Sequence, residues 1–265
     1  MLAARLLAAL TFVPCLAAPT VFAPLDSAAG LARWTLANAN GSVLVPAAVP
    51  GLAHLDLLRA GLVGEPYAEL EVDAQRWVPL EPRLNFTAAF ATPADVAARR
   101  VVELVFEGID TVADVALNGA QLFSSTSAFV RTVVDVTGRL RAPGAGNNAL
   151  VVSIASPVAA AQVAADACTG GAGQCPPASV MNPLTPSFPA VNYLRKPQVH
   201  FGWDFAGNWA PSGVWQSAYL RCFDDAVADE VTVVAEPLAP VPRGSAALLP
   251  WTATFTVFAT ATPSL

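Results

Sequence analysis

Residues 100–119 read RVVELVFEGIDTVADVALNG. Two short runs rich in β-branched residues, RVVELVF at 100–106 and DVAL at 114–117, are closed here by Asn118-Gly119. Both central residues of a type I′ turn need positive φ, which Asn and Gly adopt at low cost, so this pair after an apolar run signals a β-hairpin. The same texture repeats outward from it. RTVVDV at 131–136, ALVVSI at 149–154 and SAYLRCF at 217–223 are short and bounded by turn residues, among them Pro143-Gly144 and Gly146-Asn147. One segment, VPGLAHLDLLRAGL at 49–62, reads as a helix that Gly61 caps. Residues 155–191 lapse into Ala, Gly and Pro and read as a long connection. Many short strands with a single early helix predict an all-β protein, a β-sandwich or jelly roll. DEVTVVA at 229–235 and WTATFTVFAT at 251–260 add two more strands. Two strands do not hold as a sheet unaided, so the residues after Cys222 read as the opening of a second β domain.

Of the 265 residues, 54% are apolar and 13% charged, which excludes a disordered chain. The net charge of −6, with no basic stripe to displace counterions from phosphates, excludes a nucleic-acid partner. Arg5 precedes an apolar run at 6–17, and the small residues Cys15 and Ala17 fit a cleavage site. Residues 1–17 are therefore expected to be a secretory signal peptide, leaving a mature chain that begins near Ala18. The run is too short for about 30 Å of hydrocarbon and Pro14 interrupts it, so stable membrane insertion is not expected.

Cysteine usage suits that route. Cys168 and Cys175 flank a Gly-rich TGGAGQ that could fold back and let them pair in an oxidising compartment. A zinc site is the rival reading, although the chain has two histidines, His54 and His200, and no Cys-x-x-Cys. Cys222 is left over, as a small buried hydrophobe. Asn40-Gly41-Ser42 and Asn85-Phe86-Thr87 are glycosylation sequons.

The chain has no nucleophile elbow, phosphate loop, dinucleotide fingerprint or metal-binding His pair, and neither cofactor nor metal is expected. Glu69, Glu71 and Asp73 would share one face of an extended strand. They read as a solvated charged face, as do Glu103 and Glu107. The exceptional stretch is VHFGWDFAGNWAPSGVWQSAYL at 199–220, where Trp203, Trp209, Trp215, Phe201 and Phe205 surround the carboxylate Asp204. Aromatic faces stack on sugar C–H surfaces and a carboxylate accepts from hydroxyls. An aromatic core beneath a loop has the same composition, but a carboxylate within it needs partners.

This stretch resembles the FSWDWGP…GIW region of the β-mannosidases of glycoside hydrolase family 2. Ser-Trp-Asp-Trp stands here as Gly202-Trp203-Asp204-Phe205, and the closing part as Ser212-Gly213-Val214-Trp215. In the same order along the chain, Trp34 with NANGS at 38–42, Val49-Pro50-Gly51 with His54, and LVGEPY at 62–67 resemble further family motifs. So do Arg76-Trp77-Val78, EGIDTV at 107–112, Leu117-Asn118-Gly119 and NYLRK at 192–196. The chain departs from the pattern where AGNWA separates Phe205 from Pro211.

The resemblance implies a galactose-binding-like jelly-roll β-sandwich over 18–223, followed at 224–265 by the beginning of an immunoglobulin-like β-sandwich. It implies catalytic glutamates on a barrel absent from this chain, expected in a longer form, so no catalytic residue is assigned here. Substrate binding falls to Asp204, with Trp203 beside it, and the partners implied are β-mannoside glycans. The function implied is that of the amino-terminal portion of an enzyme removing terminal non-reducing β-D-mannose from glycans and glycoproteins in the secretory pathway, lysosomal or vacuolar, or extracellular. A stand-alone carbohydrate-binding β-sandwich without hydrolytic activity is the alternative.

Overall fold

The computed structural model describes residues 20–68, 70–171, 174–177, 188, 190–202, 207–237 and 251–261. These fall into two compact units, Val21–Cys222 and a second that holds the chain from Phe223.

In chain order the first unit begins with β1 (Val21–Pro24), β2 (Ala32–Asn38), β3 (Leu44–Ala47) and the helices α1 (Ala53–Arg59), α2 (Glu71–Ala74) and α3 (Trp77–Leu80). It continues with β4 (Arg83–Phe90), α4 (Ala94–Ala97), β5 (Val101–Phe106), β6 (Ala113–Leu117), β7 (Ala120–Ser125), β8 (Thr132–Asp135), β9 (Asn148–Ala155), α5 (Pro157–Thr169) and β10 (Ala218–Phe223). One sheet has six strands in the order β3-β2-β4-β9-β6-β7, with every neighbouring pair antiparallel. The other has four, β1-β10-β5-β8. Its first strand pairs with its last in sequence, Val21 opposite Cys222.

Period-2 alternation sets which side chains go inside. Leu84, Phe86, Ala88 and Phe90 of β4 and Leu150, Val152 and Ile154 of β9 share one buried cluster with Leu104 and Phe106 of β5 and Leu220 of β10. Two sheets closing on one core make a β-sandwich. The hairpin read at Asn118-Gly119 joins β6 to β7, with φ of 53° and 84° at its two central residues. Asn148 braces this turn, its Oδ1 accepting from Asn118 Nδ2 at 2.9 Å and from the Arg141 backbone at 2.8 Å.

The structure corrects several sequence expectations. Residues 155–191 are not all connection, because α5 is the longest of the described helices at 13 residues. Ser156 caps it, accepting from Ala159 N, and Pro157 opens it, a favoured start. Its Ala-rich turns carry no apolar stripe, so a periodicity search passes over them. Glu71 and Asp73 are not on a strand but in α2; the Glu71 carboxylate accepts from Gly64 N and Gln75 Nε2. Glu69 lies outside the described residues. Glu103 is not solvated: it is 8% exposed, and Arg221 Nε and Nη2 reach its Oε2 at 2.7 and 2.6 Å. Adjacent strands β5 and β10 bring the pair together. Glu107 accepts from Tyr219 Oη at 2.6 Å and pairs with Arg131 at 3.2 Å.

The helix expected over 49–62 is shorter, Ala53–Arg59, and Leu52 before it is extended. Gly61, at φ 69°, follows its end and closes it with Gly61 N→Leu58 O and Leu62 N→Leu57 O bonds. In the second unit, β11 (Ala226–Pro237) and β12 (Trp251–Ala261) form an antiparallel ribbon.

Candidate functional site

Trp203 and Asp204 lie outside the described residues, so the site is built from what flanks them. Lys196, the chain's one lysine, is buried at 2% exposure. It follows a turn of 3₁₀ helix at Val191–Tyr193. That turn belongs to a small apolar cluster in which Ala161 of α5 meets Phe188, Val191, Leu194, Phe201 and Ala210. The Lys196 ammonium donates to Asp110 Oδ2 at 2.6 Å and to the Pro211 carbonyl at 2.8 Å, and lies 3.2 Å from His200 Nδ1. One ammonium thus ties residues on either side of 203–206 to a third point on the β5–β6 connection.

Asp110 is held from several directions. Its backbone pairs with Gly213, N to O at 2.8 Å one way and 3.1 Å the other. Thr111 Oγ1 donates to its Oδ1, and His200 Nδ1 sits 3.5 Å from its Oδ2. Burial alone opposes charge on this carboxylate, but the His200 hydrogen bond, the Lys196 charge and the Thr111 bond outweigh it, and its pKa falls below the ordinary value. Burial pulls Lys196 below the ordinary lysine value, with Asp110 opposing the shift. The pair is a buried ion pair with its hydrogen bonds made, and removing one member leaves the other charge stranded.

Gly213 is required by its neighbours, since a Cβ there would lie 2.2 Å from Gly51 O. The 212–214 segment is pinned from that side as well, by Gly51 N→Val214 O and Ala53 N→Ser212 O bonds at 2.8 Å. The same arrangement carries His54, the second residue of α1, into the interior beside Trp209. Burial, then the Lys196 charge, drives the His54 pKa down to about 4, so its imidazole is neutral at higher pH. Both ring nitrogens of His54 and the Trp209 indole nitrogen are buried without a hydrogen-bond partner among the described residues. Trp215, by contrast, donates to Ala128 O at 2.9 Å and closes over Gly108, where a Cβ would meet its Nε1 at 2.5 Å.

The remaining sequence candidates are dispersed. Asn40 is exposed on the β2–β3 turn, its Oδ1 accepting from Ser42 N. Asn85 sits mid-strand in β4 on the half-buried outer face, opposite Ser153 of β9 and Ala37 of β2. Cys168, in the last turn of α5, is joined to Cys175 across a Cα–Cα distance of 5.8 Å. Cys222 is a free, buried thiol whose pKa burial pushes up to about 12. Among the described residues no His, Cys, Asp or Glu cluster forms a metal site, and no helix is long and apolar enough to cross a membrane. Residue-type reasoning passed over Asp110 and Lys196; the available signal was a single lysine just before the aromatic-rich stretch of an acidic chain.

The sequence model described as the glycosyl hydrolase 2 galactose-binding domain-like family matches residues 34–216, which include Asp110, Lys196 and the 203–206 segment. The chain belongs to this family. Among relatives of this galactose-binding-like domain, a protein named beta-mannosidase from Capra hircus is 32% identical over 194 residues, covering 72% of this chain and 21% of that protein. Beta-mannosidase A of Emericella nidulans is 34% identical over 192 residues, 71% of this chain and 19% of its own length. The chain therefore spans about a fifth of the length of these curated relatives. A solved β-D-mannosidase from Dictyoglomus thermophilum superposes with a TM-score of 0.69 over 91% of this chain and 31% of that one, at 21% identity; this likeness supports the fold.

Proposed function

We propose that this chain is the amino-terminal, sugar-holding part of a β-mannosidase-type glycoside hydrolase that releases terminal non-reducing β-D-mannose from glycans and glycoproteins. The observation that carries the reading is the buried Lys196–Asp110 pair. It ties both flanks of residues 203–206 to the sandwich, inside the stretch that the family match covers. On this reading Asp204 accepts hydrogen bonds from hydroxyls of the terminal sugar and Trp203 covers its C–H face. The two catalytic carboxylates belong to a barrel carried by a longer form, and residues from 224 onward begin the immunoglobulin-like domain that leads to it. A secretory route, with removal of residues 1–17 and glycans on Asn40 and Asn85, accords with an oxidising compartment in which Cys168 and Cys175 pair.

One observation favours a second reading, a carbohydrate-binding module without hydrolysis: the unit Val21–Cys222 contains all ten strands of both sandwich sheets. The two separate by assay. The 265-residue chain alone is expected to release nothing from aryl β-mannosides above the blank. With a barrel attached it hydrolyses them, and Asp204→Ala lowers kcat/KM by about ten- to a few-hundred-fold, the cost of stranding one or two sugar donors. An Asp204→Ala form that melts earlier but keeps wild-type kcat/KM would make Asp204 a structural residue and sink its role in sugar binding.

A further inference from the structure

The AGNWA stretch at 206–210 departs from the family pattern, and its described part builds something specific. Gly207 lies flat against the Trp209 indole: a Cβ there would fall 3.0 Å from Cε2 and Cζ2 and 2.4 Å from Val72 Cγ2. Trp209 N donates to Gly207 O at 3.2 Å and Ala210 N to His200 O at 2.6 Å. Ala210, fully buried, adopts φ 36°, a left-handed conformation that disfavours any residue with a Cβ. This turn sets the indole between two other rings. It meets His54 edge to face at 5.9 Å and 86°, and Tyr67 at 6.0 Å and 71°. Tyr67 is 79% exposed, Trp209 is partly buried and His54 is interior, so the three rings step inward from the surface.

The chemistry of this stair narrows its occupant. A neutral imidazole carries one N–H donor and one acceptor, and an indole carries one donor. None of these three nitrogens has a partner among the described residues, which is unusual for buried polar atoms. A purely apolar partner would cover Tyr67 and leave all three unsatisfied. An anion gains little from Lys196, whose charge is already matched by Asp110. A neutral polyol ring offers a C–H face for the aromatics and hydroxyls that both donate and accept.

We propose that Tyr67, Trp209 and His54 form a saccharide contact of this chain, made by residues other than Asp204 and built with the 207–210 turn. It takes a neutral hexose unit of a glycan and rests on the reading of the chain as a glycan-handling domain. The Trp209 ring lies edge to face against His54, so a sugar bound on this contact changes the surroundings of the indole, and indole emission reports it.

The test uses the purified 265-residue chain titrated with mannose and β-1,4-mannobiose, followed by saturation-transfer NMR and tryptophan fluorescence. Tyr67→Ala is expected to weaken mannobiose binding about three- to ten-fold, the worth of one aromatic contact. Its melting temperature should hold, because the ring is exposed. Trp209→Phe keeps a ring, removes the donor and should abolish the emission change. Asp204→Ala, run in parallel, keeps the two ideas apart. If Tyr67→Ala and Trp209→Phe bind like wild type while Asp204→Ala does not, this contact is wrong and the Asp204 reading stands. The reverse pattern upholds the contact and removes Asp204. Absence of any saccharide response from the wild-type chain overturns the proposal.

Discussion

A neutral imidazole at His54 folds without a proton, whereas in the unfolded chain the same group takes one up near pH 6.5. With the folded pKa lowered to about 4, the unfolded state binds more protons throughout the window between those values, and stability falls as pH falls across it. The contribution is fully present above about pH 6.5 and is lost progressively toward pH 4. It amounts to about 3 kcal/mol, because each tenfold difference in proton affinity between the two states is worth about 1.4 kcal/mol. His54→Leu has no such group to protonate. Urea denaturation at pH 7, 5.5 and 4 is therefore expected to show a shallower acid loss in this variant than in wild type. Parallel pH profiles for the two proteins would show that His54 is not the group responsible.

At the level of elements, β5 and β10 are joined by the Glu103–Arg221 pair as well as by adjacency in the sheet. Arg221 is 2% exposed, so Glu103→Ala deprives a buried guanidinium of the carboxylate that β5 supplies, a loss of up to about 3–5 kcal/mol. Replacing both residues together, Glu103→Leu with Arg221→Met, should recover most of that, because no charge remains to be solvated; thermal melts of the single and double variants measure the difference. This pair also shows where the sequence was opaque. β-Branched residues marked RVVELVF as a strand, and the β-sandwich followed from several such strands and one Asn-Gly turn. Alternation says which residues share a face, but not what covers the outer face, so Glu103 read as solvated. The helix α5 was invisible for a different reason: alanine favours helix without advertising a buried side. At the site, the aromatic density around residue 204 singled out a stretch whose flanks Lys196 and Asp110 brace. Lys196 and Asp110 stayed hidden because their partnership spans 86 residues, and no local pattern encodes a contact of that range.

At the scale of the whole chain, the ribbon from β11 and β12 gathers large apolar side chains on one face, with Val234 and Phe258 exposed on the other. Val231 pairs with Val257 and Val233 with Phe255, and each of these four side chains is more than half exposed. Thr232 and Thr256 fall on the opposite face. A flat apolar face with open strand edges invites pairing between molecules. A form ending at Phe223 should therefore stay monomeric at concentrations where the 265-residue chain scatters light as larger species. Equal scattering from both would place the sticky surface elsewhere.

The pairing of β1 with β10 sets a clock on synthesis. All six strands of the larger sheet lie within residues 32–155, so that sheet can assemble while the rest of the chain is still being made. Val21 must wait for Cys222. At ordinary rates of translation the gap is about 10–40 s. Between the synthesis of Ala155 and that of Cys222, about 3–13 s at the same rates, Leu84, Phe86, Leu150 and Val152 face a half-built wall, and a nascent chain in that condition is a natural client for chaperones that shield apolar sheets until the last strand arrives.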